Sequence, residues 1–227
     1  MVKNTVKIIP DYKTIKSNFI RQATFNYLIF LVENNPTKKF LDLGCGDFYL
    51  GKYDNVEGYD VEIPSQVHKN IKLFDGITVP EPDEKYDYII HNNVIEHIQN
   101  KKVNIAEVKR LLKPDGMIIM FMPASFQYTA KKFGFLYWFS RFKTFIKRQD
   151  PDLIHGLPHI YKTVAEEKAA WSYDYYKKLF DDCKLSIVYY ESFGNVFSKE
   201  RRFVFFNKYL ANFRLENGCE HFFILRK

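Results

Sequence analysis

Gly44 and Gly46 stand one residue apart immediately behind a short apolar run, Lys39-Phe40-Leu41-Asp42-Leu43. A Gly-x-Gly turn at the end of a buried strand lets the backbone approach a ligand closely, because glycine tolerates the required dihedrals and places no side chain in the way. Such turns are also common as purely structural corners, so the turn alone would carry little. Two carboxylates follow at matching places: Asp60 closes the next strand candidate and Asp75 closes the one after it. An acid in the position of Asp60 can accept hydrogen bonds from both hydroxyls of a ribose, and Asp75 adds a second acceptor on the same edge. Carboxyl edges of parallel α/β sheets are where such folds bind their ligands.

To place these groups on one edge the chain must alternate strands with helices or short connections. Apolar residues at helical spacing between Tyr12 and Glu33 predict a leading helix ended by Asn34-Asn35-Pro36. Strands are expected at Lys39–Leu43, Val56–Asp60, Ile71–Phe74, Tyr86–His91 and Met117–Met122, with a helix at Val103–Leu112. Ser172 opens a helix running to about Cys183, and Leu185–Glu191 and His221–Leu225 are the last two strand candidates. Strands that alternate in this way imply a parallel sheet.

The motifs resemble those of class I S-adenosylmethionine-dependent methyltransferases: Phe40-Leu41-Asp42-Leu43-Gly44-Cys45-Gly46, Gly58-Tyr59-Asp60, Phe74-Asp75-Gly76, Lys85-Tyr86-Asp87-Tyr88-Ile89-Ile90, Asn93-Val94-Ile95-Glu96-His97 and Leu111-Leu112-Lys113-Pro114-Asp115-Gly116. They occur in the family's order and spacing over residues 38 to 122. The resemblance implies a Rossmann-like, seven-stranded, mostly parallel sheet with an antiparallel last strand, helices on both faces, and a helical insertion after the fifth strand. One domain is expected over residues 1–227, with an N-terminal helical segment at 1–37 and an acceptor-site or lid insertion at 126–170. The resemblance also implies S-adenosylmethionine as cofactor and S-adenosylhomocysteine as product. Gly44 and Gly46 would pass under the methionine and ribose, Asp42 would meet the amino group, Asp60 the ribose hydroxyls, and Asp75 the adenine amino group. Asn92 and Asn93 would lie beside the sulfonium, with Cys45, Val61 and Gly76 completing the cofactor contacts. The sequence departs from the family at the first crossover, where Asp47–Asn55 leaves room for about one helical turn. That trimmed form is similar to methyltransferases of bacterial surface-polysaccharide pathways. A dinucleotide-binding reading is disfavoured because Phe48 stands where a third glycine would be needed.

Methyl transfer to a hydroxyl needs a base, and histidine suits that task near neutral pH. His155 and His159, in Asp152-Leu-Ile-His-Gly-Leu-Pro-His-Ile-Tyr161, follow the fifth strand where the family builds its acceptor site; His97 and His91 are further candidates. The plain alternative is a solvent-exposed loop for the first two and a helix-start pair, Glu96-His97, for the third. Asn93, Glu96 and His97 also resemble the Glu-x-x-Glu-His metal motif of small-RNA 2′-O-methyltransferases, but asparagine replaces the first ligand, so a divalent metal is allowed and not favoured.

The net charge of +7 favours an anionic partner. A small-molecule acceptor is expected, a sugar or nucleotide-linked sugar hydroxyl first, with nucleic acid as the runner-up because no Asn-Pro-Pro-Tyr motif is present. A non-catalytic scaffold is disfavoured by the intact glycines and ribose acid. Phe133–Arg148 reads as an amphipathic helix forming a lid or a homodimer interface, the alternative being a helix on an anionic membrane bound for a lipid-linked acceptor. No apolar run reaches the roughly 18 to 20 residues of a membrane span. The opening lacks a signal-peptide core, and Cys45, Cys183 and Cys219 form no metal or disulfide spacing, so a cytoplasmic location is expected.

Overall fold

A computed structural model describes residues 20–62, 71–123, 172–193 and 220–227. Helix α1 spans Ile20–Glu33. Strands β1 (Phe40–Leu43), β2 (Val56–Asp60), β3 (Ile71–Leu73) and β4 (Tyr86–Asn92) follow. A 3-10 turn at Ile95–His97 leads to helix α2 (Lys101–Leu111) and strand β5 (Leu112–Pro123). Helix α3 (Tyr173–Asp182) and strands β6 (Ser186–Phe193) and β7 (Glu220–Arg226) complete the set. The seven strands form one sheet in the order β3-β2-β1-β4-β5-β7-β6. Strands β1 to β5 pair in parallel, and β7 runs antiparallel to both β5 and β6. The expected architecture is therefore present, with β4 and β5 longer than their apolar runs suggested. The insertion expected at 126–170 and the amphipathic helix at 133–148 lie outside the described residues.

Strands buried on both faces need covers on both. One face carries Leu41, Leu43, Tyr59, Ile89, Ile118, Met120 and Phe223 beneath α2 and α3. The other packs Phe40, Val56, Ile90, Ile119 and Ile224 against Tyr27, Leu28, Leu31 and Val32 of α1. Asn100 caps α2 by accepting the Val103 N–H at 3.3 Å, and Ser172 caps α3 by accepting that of Tyr175 at 3.1 Å.

The shortened first crossover contains no helix. Its backbone runs through successive turns, with N–H groups of Phe48, Gly51, Tyr53 and Val56 donating to carbonyls of Cys45, Phe48, Leu50 and Tyr53 at 2.9 to 3.2 Å. Phe48, at φ +41°, is driven into the core, where its ring fills the space a helix would have covered. A Cβ at Gly58 would lie 2.7 Å from that ring, which explains a glycine inside a strand. The connection from β3 to β4 also lacks a helix and is fastened to α2 instead. Arg110 donates to the carbonyls of Val79 and Glu81 at 2.9 and 2.8 Å, while Glu107 accepts the Val79 N–H at 2.8 Å.

Candidate cofactor site

The carboxyl edge of β1 and β2 brings the glycine turn and Asp60 together. Gly44 and Gly46 lie at φ +75° and +51°, in the left-handed region that costs glycine nothing. N–H groups of Gly44 and Cys45 donate to the Tyr59 carbonyl at 2.7 and 3.2 Å, so the turn is fastened to the strand that carries the acid. The Gly46 N–H then donates to Asp60 Oδ2 at 2.7 Å, and Asp60 Oδ1 accepts N–H groups of Val61 and Glu62 at 2.7 and 3.3 Å. Three amides thus orient the carboxylate, and Oδ2 keeps a lone pair for a ligand hydroxyl. A Cβ built at Gly46 would meet nothing within 4 Å among the described residues, so among them space for a ligand opens directly beside the oriented acid.

Asp42 sits on β1 only 7% exposed. Burial first, and then the Asp60 charge, push its carboxyl up to about 7. A ligand bringing positive charge to this place would favour the ionised form. Burial, with Asp42 and Asp60 adding to it, also pushes the Cys45 thiol up, so Cys45 stays protonated and lines the turn rather than acting as a nucleophile. On the other side of Asp60, Asp75 Oδ1 accepts N–H groups of Thr78 and Ile77 at 2.7 and 2.8 Å, which lower its carboxyl below the ordinary range. Exposed Val61 and Ile77 flank this place, and a Cβ on Gly76 would come within 3.2 Å of Val61.

Asn92 ends β4, and Asn93, at φ +54°, turns the chain over the sheet edge. The Asn93 N–H donates to the Phe121 carbonyl at 2.8 Å, and its side-chain amide donates to Asn92 Oδ1 at 3.1 Å. All ten residues expected to meet the cofactor (Asp42, Gly44, Cys45, Gly46, Asp60, Val61, Asp75, Gly76, Asn92 and Asn93) therefore lie on strand ends or turns of one edge. Their fit to the cofactor rests on the open face of Gly46 and the amide-oriented Asp60.

The histidines divide. His155 and His159 lie outside the described residues. His97 keeps 42% of its side chain exposed, and burial of the rest, with Lys101 adding to it, lowers its imidazole. His91 is a correction: it is fully buried beneath α2, and burial drives it down to about 4 against a smaller upward pull from Asn104, so it cannot serve as a base. Its place followed from β4 extending to Asn92 with His91 on the α2 face. For metal binding, Glu96 is buried and its Oε1 lies 3.9 Å from His97 Nε2. Among the described residues no group of three or more His, Cys, Asp or Glu is placed for an ion.

Val94 also contributes to the site. Its side chain covers Gly44, where a Cβ would fall 2.6 Å from Val94 Cγ2. The pairing joins residues fifty apart, and no local pattern announces it.

Residues 18–157 match the methyltransferase domain family, and the chain belongs to it. A malonyl-[acyl-carrier protein] O-methyltransferase of Ilyobacter polytropus is 28% identical over 107 residues, 40% of this chain and 41% of that protein. A probable tRNA methyltransferase 9B of Homo sapiens is 32% identical over 107 residues, 41% of this chain and 23% of that protein. This chain thus spans well under half the length of these curated relatives. The crystal structure of PH0226 protein from Pyrococcus horikoshii superposes with a TM-score of 0.52, covering 100% of this chain and 99% of that one at 17% identity, a likeness of fold.

Proposed function

We propose that this protein transfers a methyl group from S-adenosylmethionine to a hydroxyl of a small polar acceptor, a sugar or nucleotide-linked sugar of surface-polysaccharide synthesis. The observation that carries the cofactor part is the meeting of the glycine turn and the ribose acid, Gly46 N–H to Asp60 Oδ2 at 2.7 Å, beside open space. The sulfonium supplies an electrophilic methyl group when the cofactor is bound. Asp42 would hold the amino group, Asp60 the ribose hydroxyls, Asp75 with Val61 and Gly76 the adenine, and Asn92 and Asn93 would border the sulfonium. In-line displacement then needs alignment and a base for the hydroxyl proton. His97 at this edge and His155 or His159 after β5 are the bases in this reading.

Charge supports an anionic acceptor. Acidic residues outnumber basic ones among the described residues, so the chain's net +7 comes from the remainder. Among the described residues that flank the longest remaining stretches of sequence, Pro123, Phe193 and Glu220 lie at the carboxyl edge. The named acceptors of the relatives differ, malonyl-carrier protein in one and tRNA in the other, so the family does not choose the acceptor. A nucleic-acid acceptor is the second reading, favoured by the same basic charge and by the tRNA relative. A single domain and a cytoplasmic location go with both, and among the described residues no helix is long and apolar enough to cross a membrane.

Calorimetry with S-adenosylhomocysteine on wild type and Asp60→Ala tests the cofactor part. Loss of a charge-assisted contact should weaken binding by about 1.5 to 3 kcal/mol, and unchanged affinity would overturn the assignment. Transfer of labelled methyl to nucleotide-sugars, compared with total tRNA, then separates the two acceptors.

A further inference from the structure

The glycine turn and the turn after β4 are separate in sequence and belong to different sides of the reaction, the first to the cofactor and the second to the sulfonium and acceptor. One side chain joins them. Val94 packs on Gly44 so closely that a Cβ there would lie 2.6 and 2.8 Å from its two methyl groups and 3.3 Å from its own Cβ. Both sides of this contact are tied by hydrogen bonds. Gly44 is held by its N–H bond to the Tyr59 carbonyl at 2.7 Å. On the other side the Asn93 N–H is tied to Phe121, the His97 N–H donates to the Val94 carbonyl at 2.9 Å, and Ile95 and Glu96 are buried. Behind them Lys101 Nζ donates to the Ile98 carbonyl at 2.9 Å, anchoring the start of α2 to the same turn. A displacement of the glycine turn therefore cannot be absorbed by bending at Val94 and must pass to the segment from Asn93 to Ile98, or be resisted by it.

We propose that Val94 is a positioning residue that couples the cofactor turn to the acceptor-side turn, so that cofactor binding at Gly44–Gly46 orders Asn93–Ile98 and prepares the acceptor side. The inference rests on the methyltransferase reading. Coupling of this kind is reciprocal, so whatever orders the acceptor-side turn also tightens the cofactor turn. It predicts that cofactor and acceptor each bind more tightly when the other is present.

Amide hydrogen exchange with and without S-adenosylhomocysteine tests it on the whole protein. In wild type the ligand should slow exchange at residues 44–46 and also at 93–98. In Val94→Ala the first protection should persist and the second should fall at least several-fold, while Val94→Thr, which keeps the shape, should behave as wild type. Equal protection of both turns in Val94→Ala and wild type would overturn the inference. A ligand-free cycle provides a second measurement, because a Cβ at Gly44 collides mainly with the two methyl groups that Val94→Ala removes. The fall in Tm from Gly44→Ala should be smaller in the Val94→Ala background than in wild type, and equal falls would overturn the contact. No S-adenosylhomocysteine binding to wild type would instead remove the cofactor reading itself, and with it the coupling role, whatever the cycle reports.

Discussion

Carboxylates at the two ends of this sheet are treated in opposite ways. At the amino-terminal half they are neutralised by lysines. Asp87 accepts from Lys38 Nζ at 3.0 Å, Lys113 Nζ at 2.8 Å and the Lys39 N–H at 3.0 Å. Glu57 and Glu81 share Lys72 and Lys85, with the Tyr59 hydroxyl donating to Glu81 at 2.6 Å. Burial opposes ionisation at both places, yet the lysine contacts hold Asp87 and Glu81 down to about 2. At the carboxyl edge Asp60 and Asp75 are oriented by backbone N–H groups, and among the described residues no lysine or arginine pairs with Asp42, Asp60 or Asp75. One end uses its charge to close the structure, and the other keeps charge ready for something that arrives. The difference predicts that substitutions at the two ends separate stability from binding.

Asp42 should show the largest separation, because its effects on folding and on binding have opposite signs. Its carboxyl rises from an ordinary value of 3.8 to about 7 in the folded protein, so the folded state holds the proton more tightly. The stability this gives is present at low pH and is lost as pH rises from about 4 through 7. Asp42→Asn removes that cost and should stabilise the protein at pH 8 by about 2 to 4 kcal/mol in denaturant unfolding, with little gain near pH 4. The same change should weaken S-adenosylhomocysteine binding, and wild-type binding should fall as pH drops below about 7 with release of a proton on binding at pH 6. A stability gain that does not depend on pH would break the account of Asp42.

Asp87→Ala is the converse. Removing an acid that satisfies two lysines and an amide should cost about 1 to 2 kcal/mol of stability, since both lysines are well exposed and screened. Cofactor affinity, read by calorimetry, should stay within error of wild type. A parallel loss of binding would show that the two ends are not independent.

Most of this contrast was legible from sequence on one side only. Gly44, Gly46, Asp60 and Asp75 could be read because each stands at or just past the end of a strand, and strand order in a parallel sheet carries strand ends to one edge. The motif between β4 and α2 was legible as a place, but His91 was not legible as a core residue, since it closed the expected strand at the sheet edge and only the packing of α2, with Asn104 against it, buries it. The lysine cluster was not readable at all. Lys72, Lys85, Glu57 and Glu81 are scattered over three strands' worth of chain, and only the register Tyr59↔Lys72 and the helix-free return to β4 bring them together. Likewise the glycine in β2 could be noticed, but its cause, the Phe48 ring, depends on a crossover with no helix.

The smallest effect, and the finest test of the contrast, lies within the lysine cluster. Lys72 is about half exposed in its side chain, whereas Lys85 is 16% exposed and also reaches both carboxylates, Glu57 Oε1 at 2.7 Å and Glu81 Oε2 at 2.8 Å. Removing Lys72 leaves both acids with Lys85, and its exposed charge is screened by solvent, so Lys72→Met should cost only about 0.5 kcal/mol. Removing Lys85 takes away the more buried cation and leaves Lys72 to serve two carboxylates from solvent, so Lys85→Met should cost about 1 to 2 kcal/mol. The pH dependence carries the sign. Glu81 falls from an ordinary 4.5 to about 2 in the folded protein, so its contribution is present above about 4.5 and lost as pH falls toward 2. Thermal unfolding between pH 7 and pH 3 should therefore show the Lys85→Met deficit shrinking as pH falls through that window, while Lys72→Met stays close to wild type throughout. Equal deficits for the two lysines, unchanged from pH 7 to pH 3, would mean that the cluster stabilises by packing its methylene stems and not by charge.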